Sequence, residues 1–515
     1  MNLTSYIEKK TLMYSEKNDK NNRKKSGQFF TPASVANFMG SMVSSDKEEL
    51  DILDAGSGTG MLTAAVLQKI INLKNLHKVN IDLYENDLQV HDILKENLNY
   101  LKGSLEQKGI CLNFKINADN FITSNALKWT GFEESDNYDI VISNPPYKKI
   151  GKNDDEANAM PEIVYGQPNL YFLFMAMGAR LLKQGGEAIY IVPRSFTSGL
   201  YFSAFRKWFT DEMKITDLHI FTLRDEVFNS DDILQETIIL RAVKTNKNID
   251  KINITESVNC ELQPKQKFFV DYNTLLDKNN NRFLYLPSTQ EDIEVLNFVN
   301  QWKYTLSDSE FKIKTGLVVD FRETEWLREH DEDNTVPLLW AHNLKNNRVI
   351  FPANHKNKPQ YLIDCPNTVR LQMRLDNYVI LKRFTSKEET KRLQCSVLMK
   401  KDFGDYPAIS TENHLNFITK ISGGMSENEM LGIFVILNSS YMDKYFRILN
   451  GSTQVNANEI NSLPFPSHND IIEIGRTAIQ REIFKENFPH TINLNEAVCD
   501  YILEMKYKPA DIVAV

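Results

Sequence analysis

The chain contains few cysteines and no long apolar run. Its 515 residues include 5 cysteines, none in a Cys-x-x-Cys pair, so nothing points to a disulfide framework or a structural zinc site. No stretch approaches the roughly 18 consecutive apolar residues of a transmembrane helix, and the first residues lack the short apolar segment of a secretory signal. We therefore expect a reduced, cytoplasmic protein that holds no metal and contacts no membrane.

An excess of positive charge is also absent. Lys and Arg number 60 against 68 Asp and Glu, which leaves a formal net charge of −8. Proteins that coat nucleic acid without regard to sequence neutralise many phosphates with cations, so the charge balance argues against that class. It does not exclude a site-specific DNA-binding protein, because such a protein needs only a local basic surface.

The sequence is long, and its pattern changes along the chain. At 515 residues it exceeds one ordinary domain. Residues 1–26 are polar and lysine-rich, and we interpret them as a basic arm that is solvated or touches DNA phosphates. Residues 27–250 alternate helical and strand patterns, whereas residues 251–515 carry more aromatic and basic residues. We therefore predict an arm, an α/β domain and a C-terminal mixed α/β domain that ends in helices near 469–506.

The alternation in residues 27–250 is typical of a doubly wound α/β sheet. Helical spacing of apolar residues is found at 32–44, 61–72, 88–102 and 169–183. Short apolar runs that indicate strands lie at 51–54, 79–84, 112–116, 138–143 and 188–192. Strands that alternate with helices form a parallel sheet covered by helices. We therefore predict a Rossmann-like fold whose ligands bind at the carboxyl edge of the strands.

A glycine-rich turn follows the first predicted strand, with the sequence Asp54-Ala55-Gly56-Ser57-Gly58-Thr59-Gly60. Its glycines permit a tight turn that brings the backbone close to a ligand. Glu85 and Asp119 follow the next two strands. At the edge of the sheet, Glu85 can accept hydrogen bonds from two ribose hydroxyls and Asp119 from an adenine amino group. The pattern predicts an adenosine cofactor contacted by Asp54, Gly56, Gly58, Gly60, Glu85 and Asp119.

The most informative segment is Asn144-Pro145-Pro146-Tyr147, directly after the predicted strand 138–143. The two prolines end the strand and stiffen the loop. The side-chain oxygen of Asn144 and the carbonyl of Pro145 can both accept a hydrogen bond from an aromatic NH2 group, and Tyr147 offers a flat face for stacking. Acceptors in fixed positions favour a nitrogen whose lone pair points at a methyl donor, so this chemistry needs no titrating base.

In this order, the glycine turn, the acidic pair and Asn-Pro-Pro-Tyr resemble the γ class of adenine-N6 DNA methyltransferases from type II restriction–modification systems. Gly27-Gln28-Phe29-Phe30-Thr31-Pro32 resembles the segment that precedes the glycine turn in that class, and the details resemble methyltransferases of the PstI and BsuBI type. The resemblance covers residues 27–245. It implies the sheet of class I S-adenosylmethionine-dependent methyltransferases, with Phe29, Thr31 and Pro32 contacting the cofactor.

The same resemblance implies transfer of a methyl group from S-adenosylmethionine to the N6 amino group of an adenine flipped out of double-stranded DNA. It implies that the catalytic residues are Asn144, Pro145, Pro146 and Tyr147. It also implies a monomer, with a cognate restriction endonuclease acting separately. One departure concerns the second aromatic residue that sandwiches the flipped base, because none follows closely on strand 236–243. Phe196 and Phe228 are substitutes by chain position only.

In the family, the C-terminal region reads the target sequence. The candidate phosphate contacts are the basic residues Lys382, Arg383, Lys387, Lys391 and Arg392, although each alone is more simply a solvated charge. The candidate base or phosphate contacts are the polar residues Ser452, Thr453, Gln454 and Asn456, which can equally cap a turn before a helix. Trp340, His342 and Asn343 are candidates for a recognition loop. Of the basic residues, we assign Lys382 and Arg383 to DNA binding.

Several alternatives remain open on the sequence. Asn-Pro-Pro-Tyr also suits a glutamine amide, so an RNA or protein-glutamine N-methyltransferase is an alternative, although such enzymes are shorter and lack a large C-terminal domain. Intact motifs disfavour a non-catalytic DNA specificity subunit. A fused restriction–modification enzyme is disfavoured because no convincing carboxylate–lysine nuclease motif is found. Cytosine-N4 methylation is a close chemical rival, but serine is commoner there at the position of Asn144.

Overall fold

The computed structural model describes residues 2–17, 30–221, 236–257, 266–277, 282–353, 355, 358–386, 388–451, 453–480 and 494–508. The chain divides into two compact units, Met1–Thr289 and Gln290–Val515. Within the described ranges, no helix is long and apolar enough to cross a membrane. The same ranges contain no cluster of three or more His, Cys, Asp or Glu side chains arranged to hold a metal ion.

The first unit is built on a nine-stranded sheet. Its strands are β1 (Glu49–Ala55), β2 (Lys78–Tyr84), β3 (Cys111–Asn117), β4 (Tyr138–Ser143), β5 (Leu182–Pro193), β6 (Met213–Phe221), β7 (Thr237–Lys244), β8 (Lys251–Ser257) and β9 (Gln266–Asp271). Its helices are α1 (Leu3–Lys17), α2 (Ala33–Ser41), α3 (Met61–Ile70), α4 (His91–Glu106), α5 (Phe121–Ser124), α6 (Ala126–Trp129), α7 (Asp155–Ala159), α8 (Leu170–Leu181), α9 (Ser203–Glu212) and α10 (Tyr272–Leu275).

The strands lie in the order β3-β2-β1-β4-β5-β7-β6-β8-β9. Strands β1 to β5 are parallel to one another, whereas β7 runs antiparallel between β5 and β6. The strand order reverses at β1, and ligands of open α/β sheets bind outside the carboxyl ends of the strands at such a point. The predicted Rossmann-like sheet of class I methyltransferases is confirmed.

Close packing of α2 on α3 holds the segment before α2 against the turn before α3. A Cβ atom at Gly40 of α2 would lie 2.6 Å from the backbone oxygen of Ala65 in α3. Only glycine lets two helices approach this closely. The chain enters α2 at Thr31 and Pro32 and enters α3 from the glycine turn, so this contact fixes two predicted site segments relative to each other.

Residues 3–17 form a helix, which corrects the prediction of a solvated arm over residues 1–26. Leu3 and Ile7 are buried in the core of the unit, and Tyr6 stacks on Tyr100 of α4 with ring centroids 3.6 Å apart. Thr11 shares a hydrogen bond of 2.7 Å with Thr59 in the glycine turn. The abundance of lysine in this segment concealed an apolar face at helical spacing. Residues 18–26 lie outside the described ranges.

The first unit extends to Thr289, beyond the boundary predicted at residue 250. Strand β8 pairs with β6, and β9 pairs with β8, so both strands extend the sheet. The polar segment 245–250 that indicated a boundary is the connection between β7 and β8. A short polar connection between strands and the start of a linker have the same composition, which explains the error.

The second unit combines helices with two sheets. Its helices are α11 (Gln290–Val299), α12 (Glu427–Asn438), α13 (Ser440–Leu449), α14 (Ala457–Asn461), α15 (His468–Gln480) and α16 (Glu496–Tyr507). Its strands are β10 (Phe311–Thr315), β11 (Leu327–Arg328), β12 (Thr335–Leu339), β13 (Leu344–Lys345), β14 (Arg348–Val349), β15 (Tyr361–Ile363), β16 (Met373–Arg374), β17 (Tyr378–Lys382), β18 (Cys395–Leu398), β19 (Ala408–Thr411) and β20 (Leu415–Lys420). The sheet orders are β10-β20-β17-β18-β14-β13 and β11-β15-β12-β19-β16.

Helix α12 forms the centre of a helical layer in this unit. Nearly all of its residues are buried, and it packs against α15 and α16. A Cβ atom at Gly432 of α12 would lie 2.0 Å from the backbone oxygen of Ile471, and one at Gly475 of α15 would lie 1.9 Å from that of Asn428. The two helices therefore touch through their backbones. The mixed α/β character predicted for this region, with helices near its end, is confirmed.

Candidate active site

The predicted cofactor and catalytic segments meet at one cavity of the first unit. This cavity has a volume of about 280 Å³ and lies at the carboxyl ends of β1 to β4. The predicted site residues that line it are Gly56, Gly58, Glu85, Asp119, Asn144 and Pro146. Segments that are far apart in the sequence thus converge where the strand order reverses, as expected for an open α/β sheet.

The glycine turn at this cavity requires glycine on conformational grounds. The φ angles of Gly56, Gly58 and Gly60 are +80°, +51° and +84°, in the left-handed region that other residues rarely adopt. A Cβ atom at Gly58 would also lie 3.3 Å from the ring of Phe30, another residue of the cavity wall. The turn therefore exposes backbone to a ligand without side chains in between.

Among the described residues, two buried polar atoms of the turn have no hydrogen-bond partner, Oδ1 of Asp54 and Oγ of Ser57. An unsatisfied buried polar group costs about 1–3 kcal/mol, and neither Asp54 nor Ser57 is among the residues that line the cavity. The other carboxyl oxygen of Asp54 accepts a hydrogen bond of 2.6 Å from the hydroxyl of Thr63. Burial raises the pKa of Asp54 to about 7, and the nearby charge of Glu85 adds to the rise.

Glu85 supports the turn and faces the cavity. Its Oε2 accepts a hydrogen bond of 2.8 Å from the amide of Gly58, and its Oε1 accepts one of 2.9 Å from the amide of Asp87. Burial raises the pKa of Glu85, although both amide hydrogen bonds favour the charged carboxylate. Each carboxylate oxygen can accept a second hydrogen bond, so a role in binding ribose hydroxyls stays a prediction.

Asp119 follows β3 and lies exposed at the mouth of the cavity. The next residue, Asn120, caps α5, because its Oδ1 accepts hydrogen bonds from the amides of Ile122 and Thr123. The side-chain amide of Asn120 also donates to Glu156 at 2.8 Å. This cap fixes the loop that carries Asp119, so the exposed carboxylate is held beside the cavity.

The Asn-Pro-Pro-Tyr loop is anchored on both sides. Ser143, the last residue of β4, donates a hydrogen bond of 2.5 Å to the carbonyl of Ala55 in β1. The hydroxyl of Tyr147 donates to the carbonyl of Ile191 at 3.0 Å, and burial raises its pKa well above the ordinary value. Pro145 is buried between these anchors. The loop therefore presents Asn144 from a fixed backbone.

The side chain of Asn144 is oriented by Thr31. Its Nδ2 donates a hydrogen bond of 3.1 Å to Oγ1 of Thr31, which is buried. Since the oxygen and nitrogen of an amide diverge from the same carbon, this bond fixes the side of the amide that carries Oδ1. The sequence had indicated Thr31 as a cofactor contact and gave no sign of this bond. Pro32 follows as the N-cap of α2, and Phe29 lies outside the described residues.

The sequence analysis missed the aromatic residues that line the cavity, which are Phe30, Tyr84, Phe121 and Phe174. Phe121 and Phe174 line the cavity with ring centroids 5.0 Å apart. Phe121 opens the helix that follows Asp119, and Phe174 lies one helical turn after Leu170, which also lines the cavity. That spacing on α8 is the signal that could have identified Phe174. Both rings supply apolar surface for a planar group.

The second aromatic partner for a flipped base is not Phe196. This residue is 2% exposed and packs among Tyr171 and Phe205, at centroid distances of 6.5 and 5.9 Å. A ring inside such a cluster offers no free face to a base. Phe228, the other substitute by chain position, lies outside the described residues.

In the second unit, the structure brings together the two candidate DNA-binding segments. Phe384 pairs with Gln454 in an antiparallel bridge. The amide of Thr385 donates to the carbonyl of Thr453 at 3.1 Å, and the amide of Val455 donates to that of Arg383 at 2.7 Å. Lys382 and Arg383 therefore lie beside Thr453 and Gln454, whereas Ser452 lies outside the described residues.

Other residues of the predicted DNA-binding set have structural roles. The side-chain amide of Asn456 donates to the carboxylate of Glu459 at 3.3 Å where α14 begins, and Asn456 is the N-cap residue of that helix without a side-chain capping bond. Arg392 is fully buried, and the ammonium group of Lys391 donates to the carbonyl and side chain of Asn438. Asn343 is buried and bonds to backbone atoms. A run of basic residues in the sequence does not show which of their side chains are buried. Lys387 lies outside the described residues.

Comparisons with known proteins cover both units. The family described as Eco57I restriction-modification methylase matches residues 65–228. The chain is 33% identical to the type II methyltransferase M.BsuBI of Bacillus subtilis, over 89% of this chain and 91% of that protein. It is 30% identical to the type II methyltransferase M.PstI of Providencia stuartii, over 92% and 94%. A release factor glutamine methyltransferase of Fusobacterium nucleatum subsp. nucleatum is 31% identical over 27% of this chain and 32% of that protein.

Proposed function

The chain belongs to the type II DNA methyltransferases of restriction–modification systems, which use S-adenosylmethionine, and we propose that it methylates the N6 amino group of adenine at a specific site in double-stranded DNA. The observation that carries this proposal is the hydrogen bond from Nδ2 of Asn144 to Oγ1 of Thr31. The bond fixes the side-chain amide of Asn144, which lines the cavity, and we assign its Oδ1 to an incoming amine. An exocyclic NH2 group is a donor, so an oriented acceptor suits it.

The chain contributes position and electrostatics to the reaction. Oδ1 of Asn144 and the carbonyl of Pro145 accept hydrogen bonds from the two N–H groups of the amine, which aims its lone pair away from the ring plane. The bond from Tyr147 to Ile191 holds the phenol ring in one orientation, in which its face can stack on the base. Fixed acceptors require no reorganisation during the reaction.

The same residues that build the turn fit the cofactor. We assign Glu85 to the ribose of the cofactor and Asp119 to its adenine, beside the rings of Phe121 and Phe174, and we keep Asp54 as a support of the glycine turn. When bound, S-adenosylmethionine supplies a methyl group activated by a sulfonium. The close approach that Gly56 and Gly58 allow supports this assignment.

Target recognition is assigned to the second unit. Lys382, Arg383, Thr453 and Gln454 lie on adjoining segments, and a duplex presents both phosphates and base edges to such a surface. Catalytic and recognition functions on one chain suit a monomer that flips its target base and acts apart from a cognate restriction endonuclease.

The test is expression of the chain in a bacterial host without DNA methylation, followed by sequencing that detects modified bases. We expect N6-methyladenine at one short motif, and no modification with the Asn144→Ala variant. N4-methylcytosine at a motif would overturn the adenine assignment. Unmodified DNA from a host containing folded, cofactor-binding protein would overturn DNA methylation by this chain alone and would favour the glutamine or RNA alternative.

A further inference from the structure

Phe384 is an exposed aromatic residue on a firmly held segment of the second unit. Its side chain is 41% exposed, although its backbone is bridged to Gln454. Hydrogen bonds flank the bridge, from the amide of Thr385 to Thr453 and from the amide of Val455 to the preceding carbonyl. The backbone therefore presents an apolar ring to solvent from a fixed position.

Two cation-forming side chains hold the ring. The guanidinium carbon of Arg383 lies 5.3 Å from the ring centroid, within range of a cation–π interaction. The imidazole of His414 lies 5.0 Å away at an interplanar angle of 45°. Arg383 also donates to the carbonyl of Asn413 at 3.1 Å, and His414 bonds to Glu412 at 2.5 Å. The partners of the ring are thus themselves fixed, so the rotamer of Phe384 is restricted.

Basic side chains lie around the ring, together with the carboxylates of Glu389 and Asp320. Lys382 and Arg383 precede the ring in sequence, and His414 is 57% exposed beside it. Glu412, the acid that pairs with His414, is buried at 1% exposure. Glu389, which lies near Lys382, accepts hydrogen bonds from a backbone amide and a glutamine. The imidazole of His414 therefore reaches solvent more fully than the carboxylate that pairs with it.

We propose that Phe384 inserts into the base stack of the target duplex as a wedge, with Arg383 and His414 against the flanking phosphates; this rests on the proposed DNA methylation. Proteins that kink DNA insert apolar side chains between base steps. An inserted side chain must be apolar, exposed, rigidly held and flanked by cations, and Phe384 meets each requirement. Opening one step weakens the stacking that holds neighbouring bases, which assists extrusion of the target base.

The experiment uses the full chain and a synthetic duplex that carries the target supplied by the methylation map. The variants are Phe384→Ala, Phe384→Trp as a conservative rescue, and Phe269→Ala as a matched control. Phe269 is 61% exposed on β9 of the first unit and has Lys267 at 5.9 Å from its ring. Thermal unfolding and calorimetric binding of S-adenosylmethionine establish that each variant is folded and binds cofactor.

The readouts are kcat/KM for methyl transfer and the fluorescence of 2-aminopurine placed in turn at each non-target position. We expect one flanking position to brighten with the wild-type chain and with Phe384→Trp. We expect it to stay dark with Phe384→Ala, whose kcat/KM falls about ten- to a hundredfold, the range of a lost stacking contact. Phe269→Ala is expected to match the wild type.

Each other outcome overturns the wedge in a distinct way. If the wild-type chain methylates the duplex and Phe384→Ala matches it in both readouts, the wedge is wrong and the proposed function stands. If Phe384→Ala loses activity while no non-target position brightens with the wild type, Phe384 contacts DNA without entering the stack. If the wild-type chain methylates no DNA, the proposed function fails and the wedge fails with it.

Discussion

Replacing Thr31 with valine removes the oxygen that accepts the hydrogen bond from Asn144 and keeps the shape of the side chain. The bond is 3.1 Å long, and Thr31 is buried, so water cannot readily replace the lost acceptor. Without it, the amide of Asn144 can turn over and direct its nitrogen, a donor, at the amine that needs an acceptor. We therefore expect Thr31→Val to slow methyl transfer.

The size of the effect follows from the loss of one acceptor for a buried donor. Leaving such a group unsatisfied costs about 1–3 kcal/mol, which corresponds to roughly a 5- to 150-fold change in rate. The assay is a single-turnover transfer of labelled methyl groups to plasmid DNA. Calorimetry of S-adenosylmethionine binding separates positioning of Asn144 from damage to the cofactor site.

Two further variants sharpen this test. Thr31→Ser keeps the hydroxyl and should restore most of the single-turnover rate. Thr197→Val is the matched control, because the hydroxyl of Thr197 is buried and has no hydrogen-bond partner among the residues that the structure describes. The rate of this variant should equal that of the wild type. A wild-type rate for Thr31→Val, in a protein that binds DNA and cofactor normally, would refute the orienting role of Thr31.

Asn144→Ala should bind S-adenosylmethionine normally and lose about 10²–10³ in single-turnover rate, the usual effect of removing one preorganised polar group; equal rates would exclude the role of its side chain. The pKa of Asp54 is raised from 3.8 to about 7, so its contribution to stability is present below pH 3.8 and lost as the pH rises through 7. In urea unfolding, the wild type should therefore lose up to about 4 kcal/mol more than Asp54→Asn between pH 4 and 8, and parallel pH profiles would contradict this. Gly432→Ala should lower the midpoint of thermal unfolding because its Cβ atom would lie 2.0 Å from the backbone oxygen of Ile471. Gly103→Ala is the control, since its Cβ atom meets open space, and it should raise the free energy of unfolding by about 0.5–1 kcal/mol. Equal shifts of the midpoint in the two variants would contradict the close packing of α12 on α15.

The sheet and much of the active-site cavity could be predicted because their signals are local. A glycine turn after a strand requires a particular backbone, and Asn144 with its prolines occupies one short loop. The bond between Asn144 and Thr31 joins residues 113 positions apart, and neither local sequence indicates it. The bond depends on the packing of α2 on α3, which no local pattern predicts.

The errors of the sequence analysis share one physical cause, because the composition of a segment does not show which of its side chains point into the core. Helix α1 contains several lysines, yet Leu3 and Ile7 face inward and are buried. Arg392 belongs to a basic run, yet it is fully buried, with its guanidinium 5.5 Å from the ring of Phe446. Strand β8 follows a polar connection, yet its alternating burial is that of a sheet strand. In each case the spacing of the apolar residues along the helix or strand indicates which side chains are buried, whereas the number of charged residues does not.

The contact between Gly40 and Ala65 has a consequence for how the binding of cofactor and the binding of target base affect each other. Helices that touch through their backbones have no soft side chains to absorb a displacement, so a shift of the glycine turn is passed to Thr31 and from there to Asn144. If the cofactor and the target base bind at these two segments as proposed, linkage requires any effect of one on the other to be mutual. Whatever factor bound cofactor adds to the affinity for the target base, the target base adds to the affinity for the cofactor.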